Sequence, residues 1–292
     1  MLKIEKYPLF FLAPLTLVAC AGSGSSGGST ASPFSVWNAL SSNSSASFVG
    51  GSSIVTLDQT ITQNATGATA TIGFDSGRNV SLITLNTGSG SSASFNVSNG
   101  DQITNNFGGS STVASNSSKT QMAIIANPYY MGFDYQTYGA WGSYGTSTTS
   151  SYAMSMGSAT PGSSIPSSGT GTFIGGMAGY YTDVNKNSYL AFANMSATVD
   201  FAARQVALTT SNTALVGVPL GSPVNASGLN MTSTMSYASS SNKLMGMVTT
   251  TSGMTGNVLG QFYGPSANEV GGTFAVTGSS QGTLVGGFGG KR

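Results

Sequence analysis

Residue types that do chemistry are scarce in this 292-residue chain. It has no histidine, which excludes a serine nucleophile activated by an imidazole base, however abundant serine is. One cysteine and no histidine also exclude a zinc site built from clustered thiolates and imidazoles. The eight carboxylates, Glu5, Asp58, Asp75, Asp101, Asp134, Asp183, Asp200 and Glu269, stand singly along the chain. No close pair among them suggests general acid–base work. Asp200 and Arg204 flank a turn, where a surface ion pair would contribute no more than about 1 kcal/mol. The glycine-rich segments lack both the Gly-x-x-x-x-Gly-Lys-Ser/Thr spacing and the strand-to-helix context of a phosphate loop, so they read as turns and bulges. The chain reads as non-catalytic, with no metal and no cofactor.

The single thiol is placed where it has a use. Lys3 and Lys6 form a charged start, residues 8–18 an apolar run, and Leu17-Val18-Ala19-Cys20 has the form of a bacterial lipobox. Small residues before the cysteine let a signal peptidase reach the scissile bond. The Cys20 sulfur is the nucleophile that takes a diacylglyceryl group. The apolar run is well short of the ~20 residues that span a bilayer. Residues 1–19 are therefore expected to leave as a lipoprotein signal peptide. Two or three acyl chains on Cys20, at roughly 0.8 kcal/mol per buried CH₂, suffice for stable anchoring. Ala21 carries no aspartate-type inner-membrane retention signal, which favours the outer membrane of a Gram-negative bacterium. Residues 20–33 comprise the lipidated cysteine and a Gly/Ser tether, whose residues 22–32 span roughly 17–20 Å on average.

Composition sets the fold class. Charged residues make up 6%, hydrophobic residues 39% and aromatic residues 10%, with 41 glycines. Ser, Thr, Gly, Val and aromatic residues with frequent turn signals, and few runs of strong helix formers, favour an all-β chain. Loss of Lys3, Lys6 and Glu5 with the signal peptide takes nine basic and eight acidic residues to seven and seven. A neutral surface has no electrostatic footprint for nucleic acid.

Short alternating segments define the elements that would carry any site. In residues 34–127 they include 48–49 and 54–57, read as one hairpin around Gly50-Gly51, then 68–74, 80–85, 93–97 and 121–126. This is an irregular β subdomain of five or six strands. Asn127-Pro128 marks a boundary, and residues 128–292 supply eight or nine further strands, the size of a small up-and-down barrel. The aromatic stretch 129–144 (YYMGFDYQTYGAWGSY) fits a strand, with rings folded over bare glycine backbone. The last three segments, 258–263, 271–276 and 282–288, alternate in character and form an antiparallel meander. Exposed loops are the candidate ligand surfaces: one from Ser155 to Ser168, the other from Ser211 to Val224.

Several of these segments are similar to a known family. Tyr-x-x-Tyr-Gly-x-Trp at 135–141, the Gly/aromatic strand 169–180, the hairpin around Asp200-Phe201, Ala267-Asn268-Glu269-Val270-Gly271-Gly272-Thr273-Phe274 and Gly286-Gly287-Phe288-Gly289-Gly290-Lys291-Arg292 together resemble the barrel of transferrin-binding-protein-B-like, Slam-dependent surface lipoproteins. The resemblance covers roughly residues 129–292. It implies a handle-like subdomain beside a C-terminal eight-stranded barrel, opened by the strand at 135–141 and displayed on the cell surface. It further implies passage through surface-lipoprotein export machinery and an unknown protein, haem-protein or iron-carrier ligand of the transferrin- or complement-factor-binding kind. Two alternatives stand beside it: an integral outer-membrane barrel, since alternation alone does not say which face is inside, and a structural or adhesin coat protein.

Overall fold

A period-two alternation of apolar with Ser, Thr and Gly residues makes strands almost everywhere, and turn residues end them. The computed structural model describes residues 43–77, 79–144 and 150–292. The expected signal peptide, Cys20 and tether lie outside the described residues. The fold is all-β, as the composition indicates, and consists of two nine-stranded antiparallel sheets.

The first sheet is built from β1 (Ser45–Thr56), β2 (Ile61–Phe74), β3 (Val80–Asn86), β4 (Ser92–Asn96), β5 (Gln102–Phe107), β6 (Ser111–Ser115), β7 (Gln121–Ala126), β8 (Gln136–Ser143) and β9 (Ser150–Gly157). Its order is β4-β3-β2-β1-β9-β8-β7-β6-β5. It curls around a core that includes Phe48, Ile72, Ile83, Leu85, Phe95, Ile125 and Trp141. The Trp141 indole stacks on Tyr152 at 4.9 Å between ring centroids. The sheet is nearly closed, and side chains bridge its seam. Asn105 on β5 accepts from the Val80 N–H at 3.0 Å and donates to the Val80 carbonyl at 3.1 Å, imitating with an amide a strand pairing to β3. Asp101 accepts from the N–H groups of Asn96 and Ser117 at 2.8 and 2.7 Å.

The second sheet contains β10 (Thr170–Thr182), β11 (Ser188–Asp200), β12 (Gln205–Gly217), the two-residue β13 (Val224–Asn225), β14 (Met231–Ser236), β15 (Leu244–Thr250), β16 (Thr255–Tyr263), β17 (Glu269–Gly278) and β18 (Gly282–Lys291). β11 pairs with β12, and β18 returns to β10, from Ile174 opposite Lys291 to Thr182 opposite Thr283. Leaving aside β13, which adds to β12, the strands close into an eight-stranded up-and-down barrel. On β12, Val206 and Leu208 point inward while Gln205, Ala207 and Thr209 face out. On β14, Met231 and Met235 point inward while Thr232, Thr234 and Ser236 face out. The interior is filled, not hollow. At one end the Phe262 ring lies 6.3, 5.8 and 5.4 Å from those of Phe173, Phe201 and Tyr237. The Arg292 guanidinium covers Phe173 and Phe201 at 5.3 and 5.1 Å.

Three expectations are corrected. The barrel does not start at residue 128, and the 135–141 aromatic motif is not its opening strand. β7, a single helical turn α1 (Pro128–Met131), β8 and β9 continue the first sheet, and the crossover to the barrel comes after Gly157. Asn127-Pro128 looks like a linker in sequence. Here it starts that one turn, with the Asn127 carbonyl oxygen of the side chain accepting from the Tyr129 N–H and Gly132 ending it at φ 68°. Gly50-Gly51 is likewise not a hairpin turn. β1 runs straight through it with a bulge, because a β-carbon at Gly50 would lie 2.0 Å from the Ser155 carbonyl oxygen on neighbouring β9. The closing three segments do form an antiparallel meander, β16-β17-β18.

The layers meet where β8, β9 and β1 lie across β10, β18 and β17. A buried cluster of residues from both layers, including Ile124, Tyr138, Ala140, Tyr180, Ala275 and Val285, fills the contact. Glycines make it possible. A β-carbon at Gly287 would sit 2.8 Å from both the Met154 carbonyl oxygen and the Tyr138 β-carbon, and one at Gly142 would sit 2.7 Å from the Tyr180 ring. Gly287 and Gly289 of β18 are bare because the first sheet rests on them, Gly289 under Gln136 and Tyr138.

Candidate binding surfaces

The two loops singled out from sequence do not share a surface. Ser155 is not in a loop. It is buried in β9, and its hydroxyl shares a hydrogen bond of 2.7 Å with the Tyr263 hydroxyl. Burial pushes that tyrosine up to about 12. Ser168 is exposed, near the end of the crossover that leads into β10, where Thr170 pairs with Asp200. Ser211 is exposed but lies within β12, opposite Asn194. Val224 is exposed on β13, toward the opposite end of the barrel, where Gly217 pairs with Tyr189. Continuous strands replaced part of each expected loop, since Ser-rich sequence alternates as well in a strand as in a loop.

The chemistry-bearing residues gather at the junction of the layers instead. Glu269, the first residue of β17, is buried and accepts from the N–H groups of Asp134 and Tyr135 at 2.6 and 3.2 Å. Burial raises its carboxyl to about 7, against the opposing pull of those N–H groups and of Lys291. Lys291 pairs with Asp134 at 2.5 Å and donates to the Gly132 carbonyl at 2.8 Å. Gln136 on β8 donates to the carbonyls of Val270 and Gly290 at 3.0 and 3.1 Å. These groups are consumed by main-chain partners and act as fasteners between layers. The Asp200–Arg204 pair is not among the ion pairs of the described residues. Asp200 accepts from the Ala203 N–H at 2.9 Å and closes the turn. No group of three His, Cys, Asp or Glu able to hold a metal occurs among the described residues.

Open space lies beside this junction. A hollow of 240 Å³ is lined by Gly51, Ser155, Asn242, Lys243, Leu259 and Tyr263, among others. A second, of 350 Å³, continues from it along Gln63, Ala65, Lys243, Met245, Gly246 and Leu259. The two share Ala65, Lys243 and Leu259, and together make a trough between β2 and the outer face of β15 and β16. Sequence reading missed this trough. Its residues are scattered over β1, β2, β9, β15, β16 and β17, and only the unusual Met-Gly-Met at 245–247 marks it.

An eight-stranded barrel with its apolar side chains inside, fastened to a nearly closed second sheet, defines a two-part all-β architecture. Residues 165–292 match the family described as C-lobe and N-lobe β-barrels of transferrin-binding protein B. The match takes in the barrel strands β10 to β18 and no strand of the first sheet. Among solved structures, a tryptophan-to-alanine mutant of transferrin-binding protein B from Haemophilus parasuis Hp5 is similar at 16% identity. That match has a TM-score of 0.50, over 84% of this chain and 45% of that one. Transferrin-binding protein B from serogroup B Neisseria meningitidis follows at 18% identity and TM-score 0.43, over 84% of this chain and 43% of that one. A surface lipoprotein matches at 13% identity and TM-score 0.37, over 82% of this chain and 98% of that one. At these identities the likeness is one of fold. The chain spans less than half the length of the transferrin-binding proteins it matches. No curated protein sequence matches it.

Proposed function

We propose that this chain is a lipid-anchored outer-membrane protein, held by Cys20 and displayed on the cell surface, that binds a macromolecule without transforming it. A host iron-carrier protein of the transferrin kind is the first ligand to test, because residues 165–292 match the barrels of transferrin-binding protein B. One observation carries the reading: away from the face that the first sheet covers, the barrel keeps most of its large apolar side chains inside and turns mainly Thr and Ser outward. An integral barrel needs an apolar band ~25 Å tall on the outside. The described strands have none, so this barrel suits water and needs a separate anchor. The filled interior leaves only outer surfaces for a partner.

Fractionation tests the anchor. Cys20→Ser should move the protein from membranes to the soluble periplasmic fraction, whereas retention after carbonate washing would favour an inserted barrel. Protease added to intact cells should cut the wild type; cleavage only after the outer membrane is opened would end the surface assignment. The purified mature chain should then retain one protein from host serum or haem-protein mixtures. Retention of none, with cell–cell adherence lost in a deletion strain, would favour the adhesin alternative.

A further inference from the structure

From β8 to β2 the strands of the first sheet step across the barrel: β8 over β18 and β10, β1 over β17, β2 over β16. Ser53 on β1 donates to the Thr273 hydroxyl on β17 at 2.7 Å. Gln63 on β2 donates to the Asn257 carbonyl on β16 at 3.2 Å. The next barrel strand is β15, and the hollow lane above it holds no described residue. β2 pairs with β1 along residues 61–64, but its pairing with β3 begins only at Thr69. Residues 61–64 therefore present one unpaired main-chain edge toward this lane. A long flat edge invites further pairing, and proteins that do not use one blunt it with charge, proline or a cover. Residues 61–64, Ile-Thr-Gln-Asn, carry neither charge nor proline.

The floor of the lane is apolar. Met245 is 50% exposed and Met247 is 70% exposed, both on the outer face of β15 and two residues apart. Met247 is the cross-strand partner of Asn257, the residue whose carbonyl receives Gln63, so a chain laid beside Gln63 comes down on Met247. Neighbouring outward positions on β14 and β16 are mostly threonine, serine and asparagine, and Leu259, opposite Met245, adds to the apolar floor. Thioethers adapt to varied apolar partners. The 350 Å³ hollow opens between β2 and this floor, with Lys243 at one end. The ammonium of Lys243 has no acidic partner among the described residues.

We infer that the lane above β15 is a strand-addition site, taking an extended peptide segment of a partner protein. The segment would pair its main chain with residues 61–64 of β2, place apolar side chains at alternate positions on Met245 and Met247, and set a carboxylate against Lys243. Main-chain pairing supplies affinity in such sites and alternate side chains supply selectivity. The inference stands whether or not the ligand of the protein is an iron carrier, since it rests on the free edge and its floor alone.

The test uses the full mature chain and a phage-displayed library of random octapeptides, followed by one synthetic peptide from the enriched class. Enriched sequences should alternate apolar residues and carry an acid near one end. The synthetic peptide should slow hydrogen exchange in residues 61–64. The Met245→Glu/Met247→Glu double variant, altered only at exposed side chains and checked by an unchanged thermal melt, should weaken binding by about tenfold or more, and Lys243→Glu by several-fold. No enrichment, or enrichment that the double variant leaves intact, overturns the site. Two other occupants would also overturn it. One is a second copy of the chain, seen as wild-type dimers in sedimentation that the double variant abolishes. The other is the chain's own leading segment, seen as exchange protection at residues 61–64 that is lost when residues 20–42 are deleted.

Discussion

Glu269 is the residue with the most to lose by titrating. Its carboxyl is buried, and its folded-state value is about 7 against an ordinary 4.5. Below pH 4.5 both folded and unfolded chains hold the proton. Between 4.5 and 7 only the folded chain holds it, so stability falls as pH rises across that window. At about 1.4 kcal/mol per unit, the loss amounts to about 3–4 kcal/mol. Glu269→Gln should flatten that slope in urea melts run from pH 4.5 to 7.5. A slope unchanged in the variant would mean that another group titrates. The same residue illustrates a wider point about single positions. Glu269 was one of eight scattered acids in sequence, with nothing to distinguish it. Its status comes from Asp134 and Tyr135, 135 and 134 positions away in the chain.

At the scale of elements, two contacts decide whether the strands form sheets that fit each other. The seam of the first sheet depends on Asn105. Asn105→Ala removes both bonds to Val80 and leaves that main-chain pair without its partner, a cost of about 1–3 kcal/mol. Hydrogen exchange at Val80 should accelerate while the barrel amides stay protected; equal acceleration in both sheets would mean the seam matters to the whole fold alone. The layer contact depends on bare backbone at β18. Gly287→Val drives two extra methyl groups and a β-carbon into Tyr138 and Met154. It should cost about 3 kcal/mol or more, as overpacking at rigid backbone does. Gly217→Ala is the counterpart. Nothing lies within 4 Å of its added carbon, so the change should be neutral or stabilise by up to about 1 kcal/mol. Strand alternation made most elements legible from sequence. It misled at Gly50-Gly51, read as a turn, because Gly50 is bare on account of a neighbouring strand that alternation does not reveal.

Over the whole molecule, the two sheets share one buried cluster, and its residues come from β1, β6, β7, β8 and β9 on one side and β10, β11, β17 and β18 on the other. Neither layer is covered without the other. The wild type should therefore melt in a single calorimetric transition, with Gly287→Val separating it into two. Two transitions in the wild type would show the layers to be independent domains. This shared burial also explains the misplaced boundary. Asn127-Pro128 carries the local signature of a break, but β8 and β9 find their hydrogen-bond partners in β7 and β1.

What the sequence determined by itself was local in origin. Alternation and turn chemistry specify strands, the closing meander and an all-β class. The Gly/aromatic motifs of the last third point to the barrel type that residues 165–292 match. The missing histidine and the lone Cys20 bound the chemistry. Tertiary structure decided which sheet each strand joined, which face of the barrel is dry, why Gly287 and Gly289 are bare, and where an edge was left unpaired above Met245 and Met247. The physical reason is that a strand's pattern states only that one face is apolar. Which neighbour covers that face, and which edge goes uncovered, is decided by pairings between residues often more than a hundred positions apart.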